Sequence, residues 1–303
     1  MTVAYFGRLV CLCLAAFFVL HTALAMLVSF SARIAIRRAA RMRADVAARL
    51  LFGLRLLPAT GAAFLVGGLC IPSYFLWEPE STTEQIGPAC LIAAFLGAVA
   101  CGSGLARGTL AAIRSAGYLR RCQELDAPMF LLAGVFHPRL MVSPSVRNAL
   151  TPDEFQVALR HEEAHGRSRD NLKRWLILLS PDMLPFLRGF DALDAGWHRL
   201  AEWAADDWAV QGSAERGLTL ASALVRVGRM CAGVPLVPMA SSLPANANDL
   251  GARVERLIEG RRAGEPTHRR PLLVTACVIV AGVLAFGPQL LYAVHLALET
   301  LTY

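Results

Sequence analysis

Four long stretches without a single charge constrain what this chain of 303 residues can fold into. A bilayer core of about 30 Å takes roughly 20 apolar residues wound as helix. Leu9–Phe30, Leu56–Trp77 and Gln85–Ala106 each supply 22, and Pro271–Leu298 supplies 28. The third run turns firmly apolar near Ala89, and the fourth is long enough for one tilted helix plus an interfacial turn. A fifth uncharged run, Met230–Asn248, carries Pro235, Pro238 and Pro244 among Ser and Asn. A lipid-exposed helix cannot leave backbone groups unsatisfied, so this run reads as a loop. The spacing predicts a mainly α-helical membrane protein with four spans.

Composition agrees. Hydrophobic residues make up 55% and charged ones 17% of the chain, where soluble domains carry about 25% charged residues. A purely soluble or disordered chain is excluded on that ground. The net charge of +7 comes from Arg, with Lys173 the sole lysine. Such an excess suits nucleic acid, but its placement points to topology instead. Arg33, Arg37, Arg38, Arg41, Arg43 and Arg49 follow the first run against Asp45. The stretch after the second run holds Glu78, Glu80 and Glu84 and no cation. Arg107, Arg114, Arg120 and Arg121 follow the third, and Arg261, Arg262, Arg269 and Arg270 precede the fourth. The positive-inside rule then expects the amino end outside, residues 107–270 in the cytoplasm and the last residues outside again. Residues 1–106 form a membrane domain with spans near 9–30, 56–77 and 87–106, and residues 271–303 a last span with a short tail.

Smaller features have readings of their own. Ala23-Leu24-Ala25 resembles a signal-peptidase site, but cleavage there would strand the six-Arg loop on the outer face. Arg33, Arg37 and Arg41 stand at i, i+4 and i+8, either as a basic helix on anionic lipid or simply as topology determinants. Arg55, one residue from a span, is expected to snorkel to the interface, and His21 to be neutral and bonded to a neighbouring helix. Eight Cys without a C-x-x-C pair form neither a disulfide framework nor a zinc ribbon, and six lie in apolar runs as small hydrophobes.

Between Arg107 and Arg270 the chain changes character and is long enough for its own core. Phe130–Val135 and Leu140–Ser143, split by His137-Pro138, read as one or two edge-type strands. Thr151, Pro152 and Glu154 spell a capping box with proline at the first helical position, starting a helix that runs to about Asn171. On it stands His161-Glu162-Glu163-Ala164-His165. Imidazoles at i and i+4 share one helical face and can reach one zinc ion at about 2.0–2.1 Å each. Glu162 then lies beside the ion, where it can accept a proton from the water that zinc activates, as amide hydrolysis requires. With 7 His in the chain a chance match is expected only about 0.007 times, which sets a merely solvated His/Glu face aside.

An open tetrahedral site needs a third ligand. Ser168 and Asn171 stand where one metalloprotease class needs Gly and His, so that class is excluded. A gluzincin-like site takes a Glu from a later helix, and Trp197–Val210 reads as one carrying Glu202-Trp203-Ala204-Ala205-Asp206. Glu202 is the leading third ligand, with Asp207 and Glu215 as runners-up. Asp206, one turn on, suits the free N–H of a ligating imidazole. Asp170 either orients the site helix or caps its end. His198 either stabilises an oxyanion or is simply exposed, and His137 and His268 have no partner spacing. The apolar pieces Trp175–Leu179 and Met183–Phe190 either lie against the membrane or form a plain core hairpin.

These residues resemble the integral-membrane zinc metallopeptidases of the penicillin-sensor/antirepressor (BlaR/MecR-like) type, and more distantly the CAAX prenyl protease and heat-shock membrane protease group. The likeness runs through Phe136–Leu140, Leu150–Glu154, the His161–His165 motif with Asp170-Asn171-Leu172, and Glu202–Asp206. The helix-like Leu250–Ile258, with Arg253 and Arg256, suits the family's domain end. The resemblance implies a cytoplasmic gluzincin-type α(+β) metallopeptidase domain between the third and fourth spans. It implies one Zn²⁺ per chain on His161, His165 and Glu202, with Glu162 as general base. It also implies a protein substrate such as a cytoplasmic transcriptional repressor, in a bacterial inner membrane, with lipid contacts and no direct nucleic-acid binding. The antibiotic sensors carry a large outer domain after the last span, whereas few residues follow it here, so a signal is expected through the spans, the outer loop 78–88 or a partner. The rival readings are quality control of membrane proteins, a non-catalytic receptor held together by zinc, and a transporter. The last is weakest, because no paired broken helices stand out.

Overall fold

The structure is a computed structural model and describes residues 3–78, 86–124, 128–184, 188–231, 240–242 and 247–260, with single positions at 289, 292 and 296. The expected fourth span and the outer loop lie almost wholly outside the described residues, as do Arg261, Arg262, His268, Arg269 and Arg270. The fold is mostly helical, and three of its helices are long and apolar enough to cross a membrane.

These helices outrun their apolar runs. The first, α1 (Val3–Ala39), has 37 residues, about 55 Å of helix at 1.5 Å per residue. It continues through Arg33 and Arg37 to a short turn, and α2 (Ala44–Leu65) returns from it. The six arginines that follow the first run are all exposed on this helical hairpin, not on a separate helix lying along lipid. After α2 comes one π-helical turn, Val66–Cys70, containing Gly67 and Gly68, and then α3 (Ile71–Trp77). The next long helix, α4 (Pro88–Glu124), runs unbroken past the end of its apolar run at Ala106. Phe30, Phe64, Phe95 and Ile113 stand exposed along these helices, as lipid-facing side chains do. At the end of the long helices where α1 begins, Arg8 pairs with Glu78 at 3.1 Å, and the Tyr292 ring meets Trp77 edge-on at 6.1 Å.

The remaining elements build on the C-terminal halves of α1 and α4 and the first half of α2. A small antiparallel sheet has the order β2-β1-β3, from β1 (Phe130–Ala133), β2 (Arg139–Val142) and β3 (Ala240–Ser242). So β1 is a buried central strand, not an edge, and the loop expected at Met230–Asn248 contributes β3. Then follow α5 (Pro144–Ala149), α6 (Pro152–Ser168), α7 (Asp170–Leu179), α8 (Gly189–Val210), α9 (Ala214–Met230) and α10 (Ala247–Ile258).

Two cores hold them. In one, Val157 and Ala158 of α6 meet Phe130 of β1, Leu220 and Leu224 of α9 and Leu257 of α10. In the other, Phe190, Leu193, Trp197, Leu200 and Ala201 of α8 lie on Ala25, Val28, Ala32 and Ala39 of α1 and on Ala47, Ala48 and Leu51 of α2. The apolar pieces on either side of Pro181 therefore pack on the long helices. Glycines make the approach possible: a Cβ at Gly104 of α4 would stand 2.4 Å from the Leu179 carbonyl oxygen, and one at Gly189 would stand 2.2 Å from Ser29 Oγ. Arg107 Nη2 donates to the Ser180 carbonyl at 2.9 Å and locks the end of α7 to α4.

Two expectations about polar groups are corrected. Arg55 does not snorkel: it is 6% exposed, because Asp194 of α8 accepts from its Nε at 2.9 Å and the Phe190 ring lies under its guanidinium. His21 is buried, but neither ring nitrogen finds a hydrogen-bond partner among the described residues. Among the described residues Cys11, Cys13, Cys70, Cys90, Cys101 and Cys231 are free, and Cys70 and Cys90 are buried as small hydrophobes.

Candidate metal centre

The start of α6 is fixed locally. Thr151 Oγ1 accepts from the Glu154 N–H at 3.2 Å, and Glu154 Oε2 accepts from the Thr151 N–H at 2.9 Å. With Pro152 at the first turn, this reciprocal cap sets the rotation at which the helix presents Val157, Ala158, His161, Glu162 and His165 to the interior. The helix stops at Ser168, and Arg169 takes the left-handed conformation at φ 54°. That tight corner starts α7 at once and turns Asp170 back onto His165.

Three buried side chains converge. His161 Nε2 and His165 Nε2 are 3.1 Å apart. Glu202 Oε2 lies 3.5 Å from the first, and Glu202 Oε1 lies 3.6 Å from the second. Donors held about 2.0–2.1 Å from a tetrahedral ion stand about 3.3–3.4 Å from one another. The three edges bracket that value, so the cluster can hold a metal ion.

The opposite ring nitrogens are engaged too. His165 Nδ1 lies 2.8 Å from Asp170 Oδ2, and His161 Nδ1 lies 3.0 Å from Asp206 Oδ1. The Asp170 carboxylate holds the His165 ring by its Nδ1–H, and the Asp206 carboxylate stands at ion-pair distance from His161 Nδ1, so that a neutral ring turns a lone pair on Nε2 toward its neighbour. Two such lone pairs face to face favour a shared cation. Burial opposes a charged His165, but Glu202 and Asp170 outweigh it and lift its pKa to about 10. A proton and a metal ion therefore compete for the same nitrogen.

Cations steady the acids. Arg253 of α10 is fully buried and grips Asp206 with Nη2 at 2.7 Å and Nε at 3.0 Å. Its Nη1 also reaches Glu202 Oε2 at 2.9 Å. Burial alone would raise the Asp206 carboxyl, but Arg253 overrides it and holds the group at about 2. Lys173 pairs with Asp170 Oδ1 at 2.8 Å, and Arg174 lies 3.7 Å from Glu202 Oε1. Glu162 differs from these acids in that no ion pair joins it among the described residues, and both its oxygens are buried without a hydrogen-bond partner. Burial pushes its carboxyl up to about 7, a value suited to taking and returning a proton near neutrality.

The structure thus brings together His161, His165, Glu162, Glu202, Asp206 and Asp170. Asp207 turns away to Arg256, and Glu215 is exposed on α9. His198 is exposed one turn before Glu202, its ring against Trp197. Arg253 was noted in sequence only as a mark of the domain end; a lone Arg on the inner face of an amphipathic helix was the available signal. Beside His165 a cavity of about 190 Å³ is lined by Leu132, Val135, Phe136, Pro138 and Leu172. A larger hollow of about 1070 Å³ lies beside Asp207, Trp208 and Arg256 and touches none of the three ligand residues. No protein-family model, curated protein or solved structure matches this chain.

Proposed function

We propose that this protein is a membrane-bound zinc metalloendopeptidase whose site faces the cytoplasm. One observation carries the reading: a buried, unpartnered Glu162 carboxylate stands next in sequence to a His-His-Glu cluster of metal-binding dimensions. A purely structural zinc site closes with four protein ligands and needs no such acid, and the cluster has three among the described residues.

His161, His165 and Glu202 would hold the ion, which would polarise a peptide carbonyl and activate water. Glu162 takes a proton from the attacking water and returns it to the departing amine nitrogen. Asp170 and Asp206 keep both imidazoles turned inward, and the cavity beside His165, lined by Arg169 and Asn171 as well as apolar side chains, has room for a substrate side chain. The amino end lies outside and residues 107–270 in the cytoplasm, a reading supported by the arginines after the first and third runs. The substrate is a cytoplasmic regulatory protein such as a repressor, and damaged membrane protein is the alternative.

Glu162→Gln is expected to lower proteolysis by at least about 10²-fold while zinc stays bound, and EDTA to abolish it. Unchanged cleavage in both cases would refute the mechanism. Proteomics of the native host with and without Glu162→Gln would separate a single regulatory target from a broad set of membrane proteins.

A further inference from the structure

Glu202 must sit within a few tenths of an ångström of its place, and its helix is seated by the seam beneath it. Along that seam Phe190, Leu193, Trp197 and Leu200 of α8 pack on Ala25, Val28 and Ala32 of α1 and on Ala47, Ala48 and Leu51 of α2. Apolar packing is non-directional, whereas a hydrogen-bonded ion pair is satisfied in one place only. A slip of one residue moves α8 about 1.5 Å along its axis. That is enough to carry Glu202 out of reach of an ion bound at about 2.0–2.1 Å.

A half-buried ion pair crosses this seam. Arg55 Nε donates to Asp194 Oδ1 at 2.9 Å, and the guanidinium stands 4.8 Å from the Phe190 ring centroid, also on α8. Arg55 lies where the second apolar run begins, and Asp194 lies two turns before Glu202 on one continuous helix. Desolvation makes such pairs poor sources of stability, and their best-attested use is to fix register.

We infer that Arg55 and Asp194 are positioning residues for Glu202, their ion pair setting the axial place of α8 against the second long apolar helix. The membrane-crossing part of the chain thereby reaches the metal ligand through a directional contact. The inference rests on the metal centre proposed above.

Its test is zinc affinity of the full chain in detergent, measured by competition with a chromophoric chelator. Arg55→Met with Asp194→Leu replaces the pair by apolar groups of similar size. The double variant is expected to keep its melting temperature and to bind zinc about tenfold more weakly. Arg55→Lys, which keeps the charge but loses the guanidinium stacked on Phe190, is expected to bind zinc more weakly than the original and more tightly than the double variant. Wild-type affinity in the double variant overturns the inference, and so does a loss that merely follows the unfolded fraction. If the original chain binds zinc no better than His161→Ala, the metal centre itself fails and takes this inference with it.

Discussion

Each imidazole of the cluster answers to an acid, and each acid to a cation. The two arms differ in how firmly they are held. Asp206 is fully buried under a two-point grip from Arg253, whereas Asp170 has one contact from Lys173, whose side chain is 19% exposed. Removing such a partner costs about 10–100-fold in metal affinity in comparable sites. Asp206→Asn is expected near the upper end and Asp170→Asn near the lower, by zinc titration. Equal losses, or none, would show that ring orientation is set elsewhere. Glu202 was legible as the leading third ligand, and its place beside both imidazoles separates it from the runners-up, since Asp207 pairs with Arg256 and Glu215 is exposed.

The elements were legible where their signals are local. The capping box and proline of α6 appear where the sequence puts them, because a cap involves residues three apart. Glu154 carries this into pH dependence. Burial raises its carboxyl, but the Ser222 hydroxyl, the Thr151 N–H and Arg226 prevail and hold it below its ordinary 4.5. A carboxyl depressed in the folded state stabilises fully above its unfolded pKa, and that contribution is lost as pH falls through the folded value. Glu154→Gln is therefore expected to flatten the fall in melting temperature below about pH 4.5, and to cost little more near pH 7 than the weakened cap. An unchanged acid limb would contradict it. The ends of α1, α2 and α4 were not legible, since apolar runs report where lipid stops and not where helix stops. Arg-rich segments are good helix formers, and α8 gives them something to pack on.

At the scale of the whole molecule, α8 joins the two cores: it lies on α1 and α2 in one, and its Ala209 meets α6, α9 and α10 in the other. Zinc bridging α6 and α8 should therefore stabilise the chain as a unit. At zinc about 1,000 times above Kd the gain is about 4 kcal/mol, an upward shift of roughly 8–16 °C for a chain of this size. One transition that falls on chelation is expected in a thermal melt in detergent. Two transitions, of which only one answers to chelator, would mean separate units. The sequence by itself determined the three long apolar helices and the His161–His165 pair, because apolar length and a one-turn spacing are properties of the local chain. Only the tertiary structure decided that Glu202 closes the cluster, that Arg253 holds Asp206, and that Arg55 is buried on Asp194. Those pairings join segments far apart in the chain, and which faces meet is settled by how whole helices pack, which no local spacing records.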